Sequence, residues 1–188
     1  MIFTSKQNLN TVYKNLLHKY GEKLKQQNIN IYSQEILGAQ ISLEKYKKDY
    51  KGVLFGLESF RQGIDLAGDM LKCVILVKLP FAVPTDPVQL TQMEIEKDRG
   101  RNPFLTIQIP EMIIKLKQGM GRLIRTETDK GIIAILDPRI YTKQYGHLIL
   151  KSLPDYNIIN TFLELKNKYS VYYPNSEKEM ITINSNSF

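Results

Sequence analysis

The nine residues KCVILVKLP at positions 72–80 set the strongest constraint on the fold. A strand with one face in water alternates apolar and polar side chains, but this run is apolar nearly throughout, as expected of a strand covered by helices on both faces. Four other short runs read as strands: MIFTS at the start, INIYSQ, GVLFGLE and GIIAILDP. Between them the apolar period changes from two to that of a helix. After MIFTS, the residues Leu9, Val12, Tyr13, Leu16 and Leu17 fall at helical spacing. SLEKYKKDY predicts a short polar helix capped by Ser42. A Pro-rich loop then leads to helical signals from about Val88 to Lys97, and PEMIIKLKQGMGRLIR follows with Pro110 placed for a first helical turn. Strands alternating with helices predict an α/β domain with a mostly parallel sheet, whose chemistry collects at the loops leaving the strand C-termini.

The length, 188 residues, suits one domain. Residues 1–170 are expected to form it, with a last helix in IINTFLELKNKY, and 171–188 to form a polar tail. The first strand begins at the first residue, as a piece of a longer polypeptide would. The single cysteine, Cys73, excludes a disulfide framework within the chain and reads as a small buried hydrophobe in a strand. Apolar runs of five or six residues are far short of the roughly 20 that span a bilayer, so the chain is expected in the cytoplasm with no membrane partner. Net charge is +7, and residues 1–51 hold nine Lys/Arg against four Asp/Glu. That excess suits a phosphate backbone, although a solvated lysine-rich helix face is the commoner origin of such a patch.

No G-x-x-x-x-G-K-[ST] loop occurs, and no Asp-Glu pair is placed to hold magnesium and orient a water. The histidines, His18 and His147, are far apart on predicted helices and make no metal site. The marked stretch is QGMGRLIRTETDKGIIAILDPR, residues 118–139. Gln118, Arg122 and Arg125, at i, i+4 and i+7, share one face if the helix continues through them. Gly119 and Gly121 each cost about 1 kcal/mol relative to alanine inside a helix, which implies close approach of something to that turn. Guanidinium groups on a fixed face suit an anionic phosphate, although paired arginines on a helix are ordinarily solvated. A second constellation, LESFRQGIDLAG at 57–68, offers Ser59, Gly63, Asp65 and Gly68 directly after the third strand, with ordinary turn chemistry as the plain alternative. Thr4, Ser5 and Lys6 end the first strand, where they can cap the next helix or bind a phosphate.

In order, these pieces resemble the second motor domain of superfamily-two DNA helicases, specifically the DinG branch related to XPD. The resemblance rests on IFTS, on ESFRQGIDLAGDMLKCVILVKLPFAVPTDP, and on QGMGRLIRTETDKGIIAILDPR, with YGHLILKSLP as the usual continuation, and covers about residues 1–154. It implies a RecA-like three-layer α/β/α fold, a P-loop NTPase fold lacking its own P-loop. It also implies that Arg122 and Arg125 are arginine fingers directed at the γ-phosphate of ATP, which is bound with Mg mainly by a first motor domain. Gln118 and Gly119 would meet the nucleotide from the same helix. Gly63 and Asp65 would stand at the junction of nucleotide and DNA, and Thr4, Ser5, Ser59 and Arg61 on the backbone of single-stranded DNA. Arg61 and Gln62 replace the aromatic or small residue and the acid common in the family, so no role of that carboxylate carries over, and Arg61 would instead add a phosphate contact. The family implies 5′ to 3′ translocation driven by ATP, and some bacterial members also carry a 3′ to 5′ exonuclease domain. The isolated chain is expected not to turn over ATP. The alternative is a non-catalytic nucleic-acid-binding or regulatory module that retains the fold.

Overall fold

The computed structural model describes residues 1–49, 51–58, 66, 70–83, 85–121 and 131–172. It divides into two compact units, Met1–Leu153 and Pro154–Phe188. The first unit is an α/β domain in chain order β1 (Ile2–Phe3), α1 (Lys6–Gln26), β2 (Ile31–Ser33), α2 (Gln34–Leu37), α3 (Ala39–Lys47), β3 (Val53–Leu57), β4 (Cys73–Leu76), α4 (Pro87–Asp98), α5 (Ile109–Met120), β5 (Ile132–Ile135), α6 (Arg139–Thr142) and α7 (Gly146–Ser152). The strands form a five-stranded sheet in the order β2-β3-β1-β4-β5. Every pairing is parallel, so all strand C-termini leave along one edge. This is the α/β, RecA-like class that the sequence predicts.

The two-residue strand β1 sits at the centre, with Ile2 opposite Gly56 of β3 and Leu76 of β4. Phe3 is fully buried, and its ring lies 5.1 Å from that of Phe55. Leu9, on the first turns of α1, completes this cluster, and Val12, Tyr13 and Leu16 extend it along the inner stripe of the helix. Burying side chains of this size contributes about 2 to 3 kcal/mol each, so one helix stripe and two strands hold this half of the core together. Across the rest of the sheet the buried residues include Val74 and Leu76 of β4 and Ile109, Met112, Leu116 and Met120 of α5. The spacing of that α5 set, three or four residues apart, is a single inward stripe.

Several local signals act as the sequence implies. Ser5 caps α1, its hydroxyl accepting from the Asn8 amide at 3.3 Å. Asp86 caps α4 by accepting from the Val88 amide at 2.9 Å, with Pro87 in the first turn. Pro110 stands in the first turn of α5, and the preceding turn, Phe104–Gln108, is π-helical. A proline has no N–H to give to the carbonyl four residues back and its ring crowds that carbonyl, which opens the turn before it.

Two expectations fail. Ser42 does not cap a helix: α3 starts three residues earlier with Gly38 at the N-cap, at φ +79°, and Ser42 is buried inside it. Its hydroxyl donates to the carbonyls of Gly38 at 2.7 Å and Ala39 at 3.0 Å, satisfying itself against the turn behind. Cys73 is exposed, not buried. It is the first residue of β4, at the head of the Cys73, Ile75, Val77 row, and α1's cluster covers that row only at Val77, the far end.

In the second unit, α8 (Phe162–Tyr172) begins with Thr161, whose hydroxyl accepts from the Glu164 amide at 3.2 Å. Glu164 in turn accepts from the Asn160 amide at 3.3 Å, a near capping box.

Substitution Phe55→Ala is expected to cost about 3 to 5 kcal/mol, read as a fall in urea midpoint. Gly146→Ala is expected to cost about 2 to 3 kcal/mol, because an added Cβ would stand 2.0 Å from the Ile140 carbonyl oxygen. A Gly146→Ala protein melting with the parent would show that α6 and α7 do not pack this closely.

Candidate nucleotide and nucleic-acid site

The C-terminal edge of the sheet carries Thr4 after β1, Gln34 after β2, Lys78 after β4 and Asp137 after β5. Thr4 is exposed. Gln34 turns back on the sheet, its side-chain oxygen accepting from the Leu57 amide at 2.8 Å. Lys6, in the first turn of α1, is 3.5 Å from Glu35 of α2 and largely exposed.

The sequence reading missed the most strongly organised polar group on this edge. Asp137, 2% exposed, follows β5 and accepts from the Leu79 amide at 2.9 Å, from its neighbour Arg139's amide at 3.0 Å, and from the Arg139 guanidinium at 2.9 Å and 2.5 Å. The guanidinium lies 5.2 Å from the centroid of the Phe81 ring, which stacks on Phe104 while Tyr145 packs edge-on to both. Burial alone would raise the Asp137 carboxyl, but the hydrogen bonds from Arg139 and from the two amides hold it at about 2. An acid two residues beyond a strand and an arginine two further on, as in LDPR, is the only trace of this clasp in the sequence. The other partners, Leu79 and Phe81, stand more than fifty residues away.

The marked stretch sits differently. Gln118 is exposed near the C-terminus of α5, whereas Gly119 belongs to that helix's buried stripe. Gly121 is the C-cap of the described helix, its amide donating to the Lys117 carbonyl at 2.8 Å, so it carries less than an interior glycine's cost. Because α5 precedes β5, Gln118 leads toward the N-terminal end of a strand, while Thr4 and Ser5 follow the C-terminal end of one. Arg122, Arg125, Ser59, Arg61, Gly63 and Asp65 lie outside the described residues. Among the described residues no group of three His, Cys, Asp or Glu side chains is placed to hold a metal ion, and no helix is long and apolar enough to cross a membrane. His18 and His147 are both exposed on separate helices.

Residues 1–156 match the model of the helicase C-terminal domain family. The chain belongs to that family. It is 36% identical over 156 residues to the 3′-5′ exonuclease DinG of Bacillus subtilis, covering 82% of this chain and 16% of that protein. It is 46% identical over 120 residues to the ATP-dependent DNA helicase DinG of Photobacterium profundum, covering 62% of this chain and 17% of that protein. The ATP-dependent DNA helicase YoaA of Haemophilus influenzae is 44% identical over 130 residues, 66% of this chain and 20% of that protein. The chain thus spans about a sixth to a fifth of the length of these relatives. The family and the DinG resemblance are those that the motifs imply.

Asp137 makes an acid-sensitivity prediction. Its carboxyl is held below the value of an unfolded chain, so the native state binds fewer protons and the stabilisation is fully present above about pH 4. It is lost as pH falls from there through about 2, and amounts to about 2 kcal/mol. Asp137→Asn should lower the urea midpoint at neutral pH and remove most of that acid loss. An acid limb identical in the two proteins would show that the clasp does not set it.

Proposed function

We infer that this chain is the second motor half of an ATP-dependent DNA helicase of the DinG type. The observation that carries the reading is a helicase C-terminal match across residues 1–156 on an all-parallel sheet that gathers its strand exits on one edge. ATP with Mg is held mainly by a first motor domain. Arg122 and Arg125 reach its γ-phosphate as arginine fingers, stabilising charge that develops on the transferring phosphoryl group. Gln118 meets the nucleotide from the exposed side of α5, with Gly119 packing the same turn inward and Gly63 and Asp65 linking nucleotide to DNA. Thr4, Ser5, Ser59 and Arg61 hold the phosphates of single-stranded DNA, contacts that position the strand without reading its sequence. Closing of the two halves on ATP and reopening after hydrolysis moves the strand, 5′ to 3′ by the family's pattern.

Two measurements test this. The purified 188-residue chain should show no DNA-stimulated ATP turnover, having no phosphate loop; measurable turnover would sink the division of labour. In the intact helicase, Arg125→Ala should lower ATP turnover by about 10³-fold or more while single-strand affinity stays nearly constant. Turnover surviving that change would instead favour a binding or regulatory module that keeps the fold without the motor. In such a module the basic residues of the first quarter dominate binding.

A further inference from the structure

We propose that Lys78 is a phosphate contact on the single-strand track, beside Thr4 and held in place by the Asp137 clasp. The proposal rests on the helicase reading for Thr4 and Ser5 and extends it to a residue of the KLPF segment to which that reading gives no role. Its basis is the register of the two central strands. Ile2 of β1 pairs with Leu76 of β4, and the Val77 amide donates to the Ile2 carbonyl at 3.1 Å. Thr4 and Lys78 follow the ends of these two neighbouring parallel strands, on the same edge of the sheet. Both are exposed at the strand exits.

The charge around them gives Lys78 its role. Lys6 is engaged with Glu35. Among the described residues Lys78 is paired with no carboxylate, and Asp137, which accepts from the next amide along, is committed to Arg139. The first turn of α1 also holds no acidic residue, so its partial positive charge is not offset locally. Lys78 is fixed on both sides: the Val77 amide bonds to β1, and the Leu79 amide bonds to Asp137 Oδ2 at 2.9 Å, which sets the peptide plane joining Lys78 to Leu79. A flexible ammonium on a fixed backbone holds a phosphate as a point charge and tolerates any base sequence.

The probe is a fluorescein-labelled oligothymidine of about twenty nucleotides, bound to the 188-residue chain and followed by anisotropy between about 50 and 200 mM NaCl. Each phosphate contact to a single strand contributes about 0.7 to the slope of log affinity against log salt, so Lys78→Gln should reduce that slope by about 0.7 and weaken binding. Lys78→Arg should restore the slope, and Lys97→Gln, an exposed lysine of α4, should leave it unchanged. All variants should melt with the parent, since both lysines are exposed. Thr4→Val weakening the complex while Lys78→Gln leaves slope and affinity alone would overturn this assignment and keep the helicase reading. No salt-dependent binding by the unaltered chain would remove the reading and this proposal with it.

Discussion

The burial of Phe3 is the contact on which the rest of the domain depends. The central strand contributes only two residues, so its hold on the sheet cannot come from a long ladder. It comes from pairing on both sides at once and from one fully buried ring packed between Phe55 and Leu9. The Met1 amino group continues the ladder by donating to the Leu54 carbonyl at 2.6 Å. That same ring is the last residue before Thr4, so the packing of the core decides where the first strand exit points and where α1 begins. The core and the first strand exit are set by one side chain.

Parallel strands divide the work between two ends of the sheet. Whatever follows a strand emerges on one edge, where Thr4, Lys78 and the Asp137 clasp lie in neighbouring positions. Whatever precedes a strand enters from the other. The strands between, coupled residue by residue from Cys73↔Ile132 to Leu76↔Ile135, are the material that joins the two ends.

The sequence made the element order legible because each element carries its own local signal. Apolar runs marked the strands, Ser5 and Asp86 the helix starts, and Pro110 the first turn of α5, all interactions within a few residues of one another. Ser42 misled because a serine ahead of a helical pattern looks the same whether it caps the helix or bonds back inside it; the deciding residue was Gly38 at positive φ. Cys73 misled because strand membership does not say how far the covering helix reaches. The Asp137 clasp was illegible for a different reason: Leu79 and Asp137 meet only through the β4–β5 register, which no local pattern encodes. The family motifs in turn marked Gln118 and Gly119 together, and only the buried stripe of α5 separates the side chain that faces out from the position that faces in.

The exposure of Cys73 has a practical side. It is the one thiol in the chain, at the opposite end of β4 from Lys78, five residues and about 16 Å away along an extended strand. A maleimide dye there would label the protein at a single defined point without touching the edge where a strand of DNA is expected to run. The distance suits electron-spin methods, which would register a nucleic acid arriving at the far end. A position that contributes little to the core thus gives the domain a built-in place for a reporter.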